Sequence, residues 1–275
     1  MQAASNNPED DEPVLLLSDE GPIRRITFNR PQTHNAQSPA LLESLAAALD
    51  ETKSRTSTRV LILAGAGRSF SSGHDLKAVT TDPVYEANTK TAETRYWQEL
   101  RLFVEPVQQF RRLPIPTICR VQGYCLAAAL MFVAASDFAV AGDDAVFGSP
   151  VLSTQGVNDA EVPAFAWRVG ERRAKQAIWL NEQMDAQEAL RSGLVNWVVP
   201  PDELDAKVDA VAAKLLEVPR EALALSKATF QFMADQQGQA QVDQFHFVMH
   251  QFTHQTQEAQ ELLDQRIARN TSAVD

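Results

Sequence analysis

The chain has 275 residues, with 25 Lys plus Arg against 36 Asp plus Glu and a formal charge of −11. That acidic balance argues against general affinity for nucleic acid, because neutralising phosphates takes a net basic face. A hydrophobic fraction of 44% with 22% charged residues suits a globular protein able to bury a sizeable core. The two cysteines, Cys119 and Cys125, lie in no CxxC or Cys/His zinc spacing. A disulfide framework is excluded and a reducing, cytoplasmic setting is expected. Met1 to Pro13 has no basic start and no apolar core, so neither a secretory signal nor an Arg-rich transit peptide is expected. The most apolar run, Leu126 to Val140, is interrupted by Ser136 and Asp137 and falls short of a membrane span.

Residues 1–12 read as a flexible acidic tail. Val14 to Leu17 and Ile23 to Phe28 are apolar runs around Asp19-Glu20-Gly21-Pro22, a hairpin-like start. Ser38 is placed to cap a helix whose Leu41, Leu42, Leu45 and Leu49 recur at helical spacing. Val60 to Ala64 is a buried strand ending in Gly65-Ala66-Gly67, and 68–90, rich in Ser, Thr and Asp, reads as loop. Trp97, Leu100, Phe103 and Val104 restore helical period over 91–112 until Pro114 and Pro116. Thr117 to Val121 is a strand, Gly123-Tyr124 a turn, Leu126 to Ala135 a buried helix, and Phe138 to Val140 and Ala145 to Phe147 short strands. Helices are expected near 163–180, 185–191, 202–217, 219–235 and 240–268. Strands alternating with helices before a helical C-terminal third indicate an α/β fold.

Several motifs are weak. Gly65-Ala66-Gly67 lacks the third glycine of a dinucleotide fingerprint, with Phe70 in its place, and a loop follows instead of a helix. Neither GxxxxGK[ST] nor GxSxG occurs. His246, His250 and His254 fall at i, i+4 and i+8, but Phe245, Val248, Met249 and Phe252 give that helix an apolar stripe. An interfacial helix with histidines at its margin is the favoured reading, and no metal is expected. Two segments stand out, Gly67 to Lys77 and Pro114 to Ala129, each placing small residues in a turn just after a strand. Such turns expose backbone N–H groups, and the first turn of a helix leaves N–H groups without intrahelical partners. Two of them aimed at one oxygen stabilise it as negative charge develops, and the helix N-terminus adds favourable potential.

The order Asn29-Arg30-Pro31, Asn35-Ala36, Phe70-Ser71-Ser72-Gly73-His74-Asp75-Leu76-Lys77, Gly123-Tyr124, Asp137 and Phe147-Gly148 resembles the crotonase (enoyl-CoA hydratase/isomerase) superfamily. So do Ala186-Gln187-Glu188-Ala189-Leu190, Gly193-Leu194-Val195-Asn196 and Val198-Val199-Pro200, and the similarity runs collinearly over roughly residues 13–235. The resemblance implies an α/β fold with a ββα spiral acyl-CoA-binding core over 13–200 and a helical C-terminal trimerisation region over 201–275. It implies an acyl-CoA thioester substrate, coenzyme A only as part of that substrate, no other cofactor, and a homotrimer or dimer of trimers. The backbone N–H groups of His74 and Ala128 match the oxyanion-hole donors, with Ala127-Ala128-Ala129 where relatives usually carry three glycines. Arg30, Ser71, Ser72, Leu76 and Lys77 match positions near CoA, with backbone around Ser71 to Leu76 at the adenine, while Asp75 matches a structural position.

One departure limits what the resemblance implies about chemistry. Where classical hydratases carry two glutamates, an ungapped alignment puts Met131 and Val151, neither able to move a proton. Two-glutamate hydration therefore cannot operate, and Met131 and Val151 are expected to line the acyl pocket. Asp159, with Glu161 behind it, matches an acidic position beside the acyl group in relatives with other chemistries; the His74 side chain is a further candidate. An enzyme of hydratase/isomerase type is the leading expectation. Thioester or carbon–carbon hydrolysis, and acyl-CoA binding without turnover, are the alternatives.

Overall fold

The structure, a computed structural model, describes residues 12–81, 87, 91–158, 160 and 162–272. Most of the expected acidic tail, and both Asp159 and Glu161, lie outside the described residues. The chain opens with β1 (Leu15–Glu20) and β2 (Ile23–Phe28), an antiparallel pair turning at Gly21. α1 (Pro39–Ser54) follows, with the Ser38 hydroxyl accepting from Leu41 N at 3.3 Å as the sequence predicts. Next come β3 (Val60–Gly65), α2 (Leu76–Thr81), α3 (Ala92–Glu99), a π-helical stretch (Leu100–Val104), α4 (Glu105–Arg111) and β4 (Thr117–Val121).

The middle holds β5 (Tyr124–Leu126), α5 (Ala129–Ala135), β6 (Phe138–Gly142), β7 (Val146–Gly148) and α6 (Val151–Gln155). It continues through α7 (Val162–Val169), α8 (Glu171–Trp179), β8 (Met184–Asp185), α9 (Ala186–Ser192) and β9 (Trp197–Val199). Beyond β9 the described chain is helical: α10 (Leu204–Leu216), α11 (Arg220–Gln236), α12 (Gln239–Thr253) and α13 (Gln257–Ser272). No described helix is long and apolar enough to cross a membrane.

One sheet has the order β1-β2-β3-β4-β6-β9, parallel from β2 onward; a smaller one has the order β5-β7-β8. β3 shows why the larger sheet needs helices on both faces. All six of its residues are buried, and successive side chains alternate sides. Leu61 and Leu63 join the main core with Leu41, Leu45 and Leu49 of α1. Val60 and Ile62, with Ile118 and Val140, pack on Leu204, Val208 and Ala212 of α10.

Several elements differ from the sequence expectation. Tyr124 to Leu126 pairs as a strand, so the buried helix begins only at Ala129. The expected 163–180 helix is split at Gly170, whose φ of +79° breaks helical geometry. The expected last helix is likewise two, interrupted at 254–256, and a helix (Leu76–Thr81) forms inside the expected 68–90 loop.

Candidate active site

The first of the two small-residue turns follows β3 and is held from behind by polar side chains. Asn35 Nδ2 donates to Ala66 O at 2.9 Å and to Ser69 O at 2.7 Å, while its Oδ1 accepts from Arg30 N at 2.8 Å. Ser71 forms a bridge with Cys125, linking this turn to the smaller sheet. One step on, Gln37 N donates to Gly73 O at 2.8 Å and Asp75 N donates to Gln37 O at 3.1 Å. In that parallel bridge Gln37 uses the residues on either side of His74, so the His74 N–H points to the opposite side. Asp75 then caps α2, accepting from Lys77 N and Ala78 N at 3.1 Å each, and pairs with Arg30 at 2.7 Å.

The second turn joins β5 to α5. Ala127 N is anchored on Gly148 O at 2.9 Å, and Ala127 takes a left-handed φ of +50°. Ala128 returns to φ −53°, ψ −20°, ordinary helical geometry in which alanine is at no disadvantage. The alanine triplet thus puts its backbone cost, roughly 1–2 kcal/mol, on Ala127 and leaves the Ala128 amide at the head of α5. The two turns touch at Gly73, which has φ +88°. A Cβ there would stand 2.8 Å from Leu126 O, 2.9 Å from Ala127 Cβ and 3.2 Å from Ala128 N. Among the described residues, neither His74 N nor Ala128 N has a backbone acceptor.

The His74 ring stacks on Phe103, centroids 3.7 Å apart. Burial drives its pKa down to about 4, the Glu99 carboxylate opposing and His250 adding to the drop, so the imidazole is neutral at pH 7. Met131 lies one turn into α5, buried, on a cavity of about 60 Å³ shared with Val107, Ala134, Ala160, Asp243 and His246. Val151, the first residue of α6, is half-buried and does not line that cavity. Ala160, between the two expected acids Asp159 and Glu161, does line it.

The residues matched to CoA positions separate by exposure. Leu76 and Lys77 are exposed at the start of α2 and Ser72 is half-buried. Ser71 is fully buried, its hydroxyl donating to Asn35 O at 2.8 Å and accepting from Gly73 N at 3.2 Å. Arg30 is buried too, its Nη1 donating to Ala36 O at 2.6 Å and to Asp75 Oδ2 at 2.7 Å.

Sequence reasoning missed Glu99, the last residue of α3. It is buried and meets α12: Gln251 Nε2 donates to its Oε2 at 2.6 Å, and His250 Nε2 stands 3.1 Å from the same oxygen. Burial alone would raise the Glu99 pKa, but hydrogen bonding to His250, the positive charge that His250 and His254 carry when protonated, and Gln251 outweigh it and hold the carboxyl at about 2. The i, i+4 spacing of His250 and His254 was the visible half of this cluster; its acid lies 151 residues earlier in the chain. His246 turns instead to Asn158, Nδ1 to Nδ2 at 3.4 Å.

A spiral of parallel strands closed by C-terminal helices, with two strand-following turns meeting at one glycine, defines the ββα-spiral class of α/β protein. The sequence profile described as enoyl-CoA hydratase/isomerase matches residues 19–266, and the chain belongs to that enzyme family. The putative enoyl-CoA hydratase EchA13 of Mycobacterium tuberculosis is 32% identical over 249 residues, covering 86% of this chain and 78% of that protein. The mitochondrial enoyl-CoA hydratase domain-containing protein 3 of Rattus norvegicus is 31% identical over 223 residues, covering 81% of this chain and 72% of that one. Among solved structures, a probable enoyl-CoA hydratase from Mycobacterium smegmatis matches with TM-score 0.81 and 33% identity, over 88% of this chain and 94% of that one. An enoyl-CoA hydratase/isomerase from Xanthobacter autotrophicus Py2 matches with TM-score 0.81 and 29% identity, over 93% and 98%.

Proposed function

We propose that the protein acts on acyl-CoA thioesters, gripping the thioester carbonyl oxygen between the N–H groups of His74 and Ala128. The observation that carries this reading is the contact of the two turns at Gly73, with both amides lacking a backbone acceptor among the described residues. Two donors fixed before the substrate arrives stabilise an enolate or a tetrahedral oxyanion with little reorganisation. The CoA moiety lies along Ser72, Leu76 and Lys77, while Arg30 and Ser71 hold the loop from behind, Ser71 meeting ligand through its backbone. Met131 contributes to the acyl pocket, with Val151 at its edge, and the absence of two glutamates sets two-glutamate hydration aside.

Asp159, or Glu161 behind it, moves the proton, a role favoured by Ala160 lining the cavity beside Met131. Such a site suits double-bond isomerisation, a variant hydration, or thioester or carbon–carbon hydrolysis, each needing one acid/base group. Asp159→Asn is expected to cut turnover at least about 100-fold with acyl-CoA affinity held within a few-fold. The check is mass detection of products from mixed enoyl-, hydroxyacyl- and β-keto-CoA, alongside calorimetric binding. Activity within a few-fold of the parent in both Asp159→Asn and Glu161→Gln removes both acids from the mechanism. Tight acyl-CoA binding with no product from any thioester supports the binding-protein alternative instead.

The native assembly is a homotrimer or a dimer of trimers. Val242, Phe245, Val248 and Phe252 form one exposed apolar stripe along α12, and Leu225 and Phe232 another along α11. Cys119 and Cys125, both buried free thiols, suit a reducing cytoplasm.

A further inference from the structure

We propose that Glu99, His250 and His254 form a binding site for a divalent transition-metal ion, of zinc type. Donor atoms of the three residues all lie within 4.8 Å of one another. His250 Nε2 and His254 Nε2 are 3.3 Å apart. Glu99 Oε2 stands 3.1 Å from His250 Nε2, and Glu99 Oε1 stands 3.8 Å from His254 Nε2. Bonds of about 2.0–2.1 Å to a tetrahedral ion put donors about 3.3–3.4 Å apart, close to the separation of the two imidazole nitrogens, and the Glu99 carboxylate turns one oxygen toward each histidine.

Proton bookkeeping supports the same conclusion. His250 Nδ1 lies 2.6 Å from Asn158 O, and a carbonyl only accepts, so Nδ1 carries the hydrogen. A neutral His250 ring is then unprotonated at Nε2, the atom that faces Glu99 and His254. A backbone carbonyl orienting one ring nitrogen while the other ligates is a common outer arrangement of metal-bound histidine. Gln251, donating to Glu99 Oε2 at 2.6 Å, fixes the carboxylate in the same way.

Two segments supply the donors. His250 and His254 lie one turn apart at the end of α12, and Glu99 ends α3 where the π-helical stretch begins. Two imidazoles with one carboxylate suit zinc or a neighbouring first-row ion and leave a fourth coordination position for water or ligand. Phe103, four residues after Glu99, stacks on the His74 ring, so the site adjoins the turn of the proposed thioester site. The inference goes beyond that reading and does not rest on it.

The rival arrangement has no ion: a protonated His250 shared between Glu99 and Asn158 O, beside a neutral His254. The full chain, without an affinity tag and purified in the absence of chelator, is dialysed against micromolar zinc, and bound metal is measured by plasma mass spectrometry. The expected result is about one equivalent per chain and a melting temperature that rises with zinc. Co(II) in its place is expected to give the intense visible bands of a tetrahedral site. His254→Ala, at the helix end, is expected to weaken metal binding at least about tenfold without lowering the metal-free melting temperature. Glu99→Gln is expected to weaken it too, while His246→Ala keeps full binding. Metal content far below one equivalent in the parent, or parent-like binding in both His254→Ala and Glu99→Gln, overturns the proposal in favour of the proton-shared network. Since no acyl-CoA enters these measurements, failure here leaves the thioester reading intact, and the converse also holds.

Discussion

Gly73 is the residue on which the geometry of the site turns, because it is where two separate chain segments come within touching distance. Its φ of +88° disfavours any side chain, and an added Cβ meets backbone atoms at 2.8 and 3.2 Å, which cannot swing away. Gly73→Ala is therefore expected to cost about 2–4 kcal/mol in a denaturant melt and to abolish acyl-CoA binding by parting the turns. A melt within about 0.5 kcal/mol of the parent would show that the turns do not meet this tightly. Asp243 offers a pH test at the same scale. Burial raises its carboxyl from 3.8 to about 6, helped by Asp235 and opposed by Arg111 and Arg112. The folded state then holds a proton that the unfolded chain releases, so this contribution to stability is complete below about pH 4 and is lost as pH rises through 6. Asp243→Asn is expected to melt a few degrees above the parent at pH 8, with the gap closing near pH 4. An equal gap at both pH values contradicts the assignment.

At the scale of elements, the sequence shows what repeats locally and hides what depends on distant neighbours. β3 was legible as a buried strand because its apolar residues run unbroken, and Ser38 as a cap because a hydroxyl precedes a helical leucine pattern. The split at Gly170 was not: the apolar period continues across it, and only the left-handed backbone marks the break. Glu99 was invisible for another reason, since its burial is balanced by residues of α12 that no local pattern couples to it. The two small-residue turns fall between these cases, readable as small residues after strands, although the meeting point at Gly73 needed both segments in place. The stripes on α11 and α12 show as alternating exposed aromatic and aliphatic positions, and they predict a partner surface. Light scattering on the parent is expected to give a trimer or hexamer mass. Phe245→Glu is expected to shift it toward the monomer, because a buried charge without a partner costs several kcal/mol. A monomeric parent contradicts the interface.

The whole molecule joins these scales through one sheet. Alternation along β3 sends one set of side chains to α1 and the other to α10, and the turn after β3 emerges from that fixed strand into the turn before α5. The large core keeps the two turns in register, which would let backbone amides, rather than mobile side chains, serve as the donors of the proposed thioester site. Family membership fits this economy, since the same scaffold recurs in the enoyl-CoA hydratase/isomerase structures that the chain matches. The most direct test is a crystal structure with a bound acyl-CoA thioester or its unreactive thioester analogue. The acyl oxygen is expected within about 2.7–3.1 Å of both His74 N and Ala128 N. An oxygen that meets only one of these amides, or an acyl group lodged elsewhere on the chain, contradicts it.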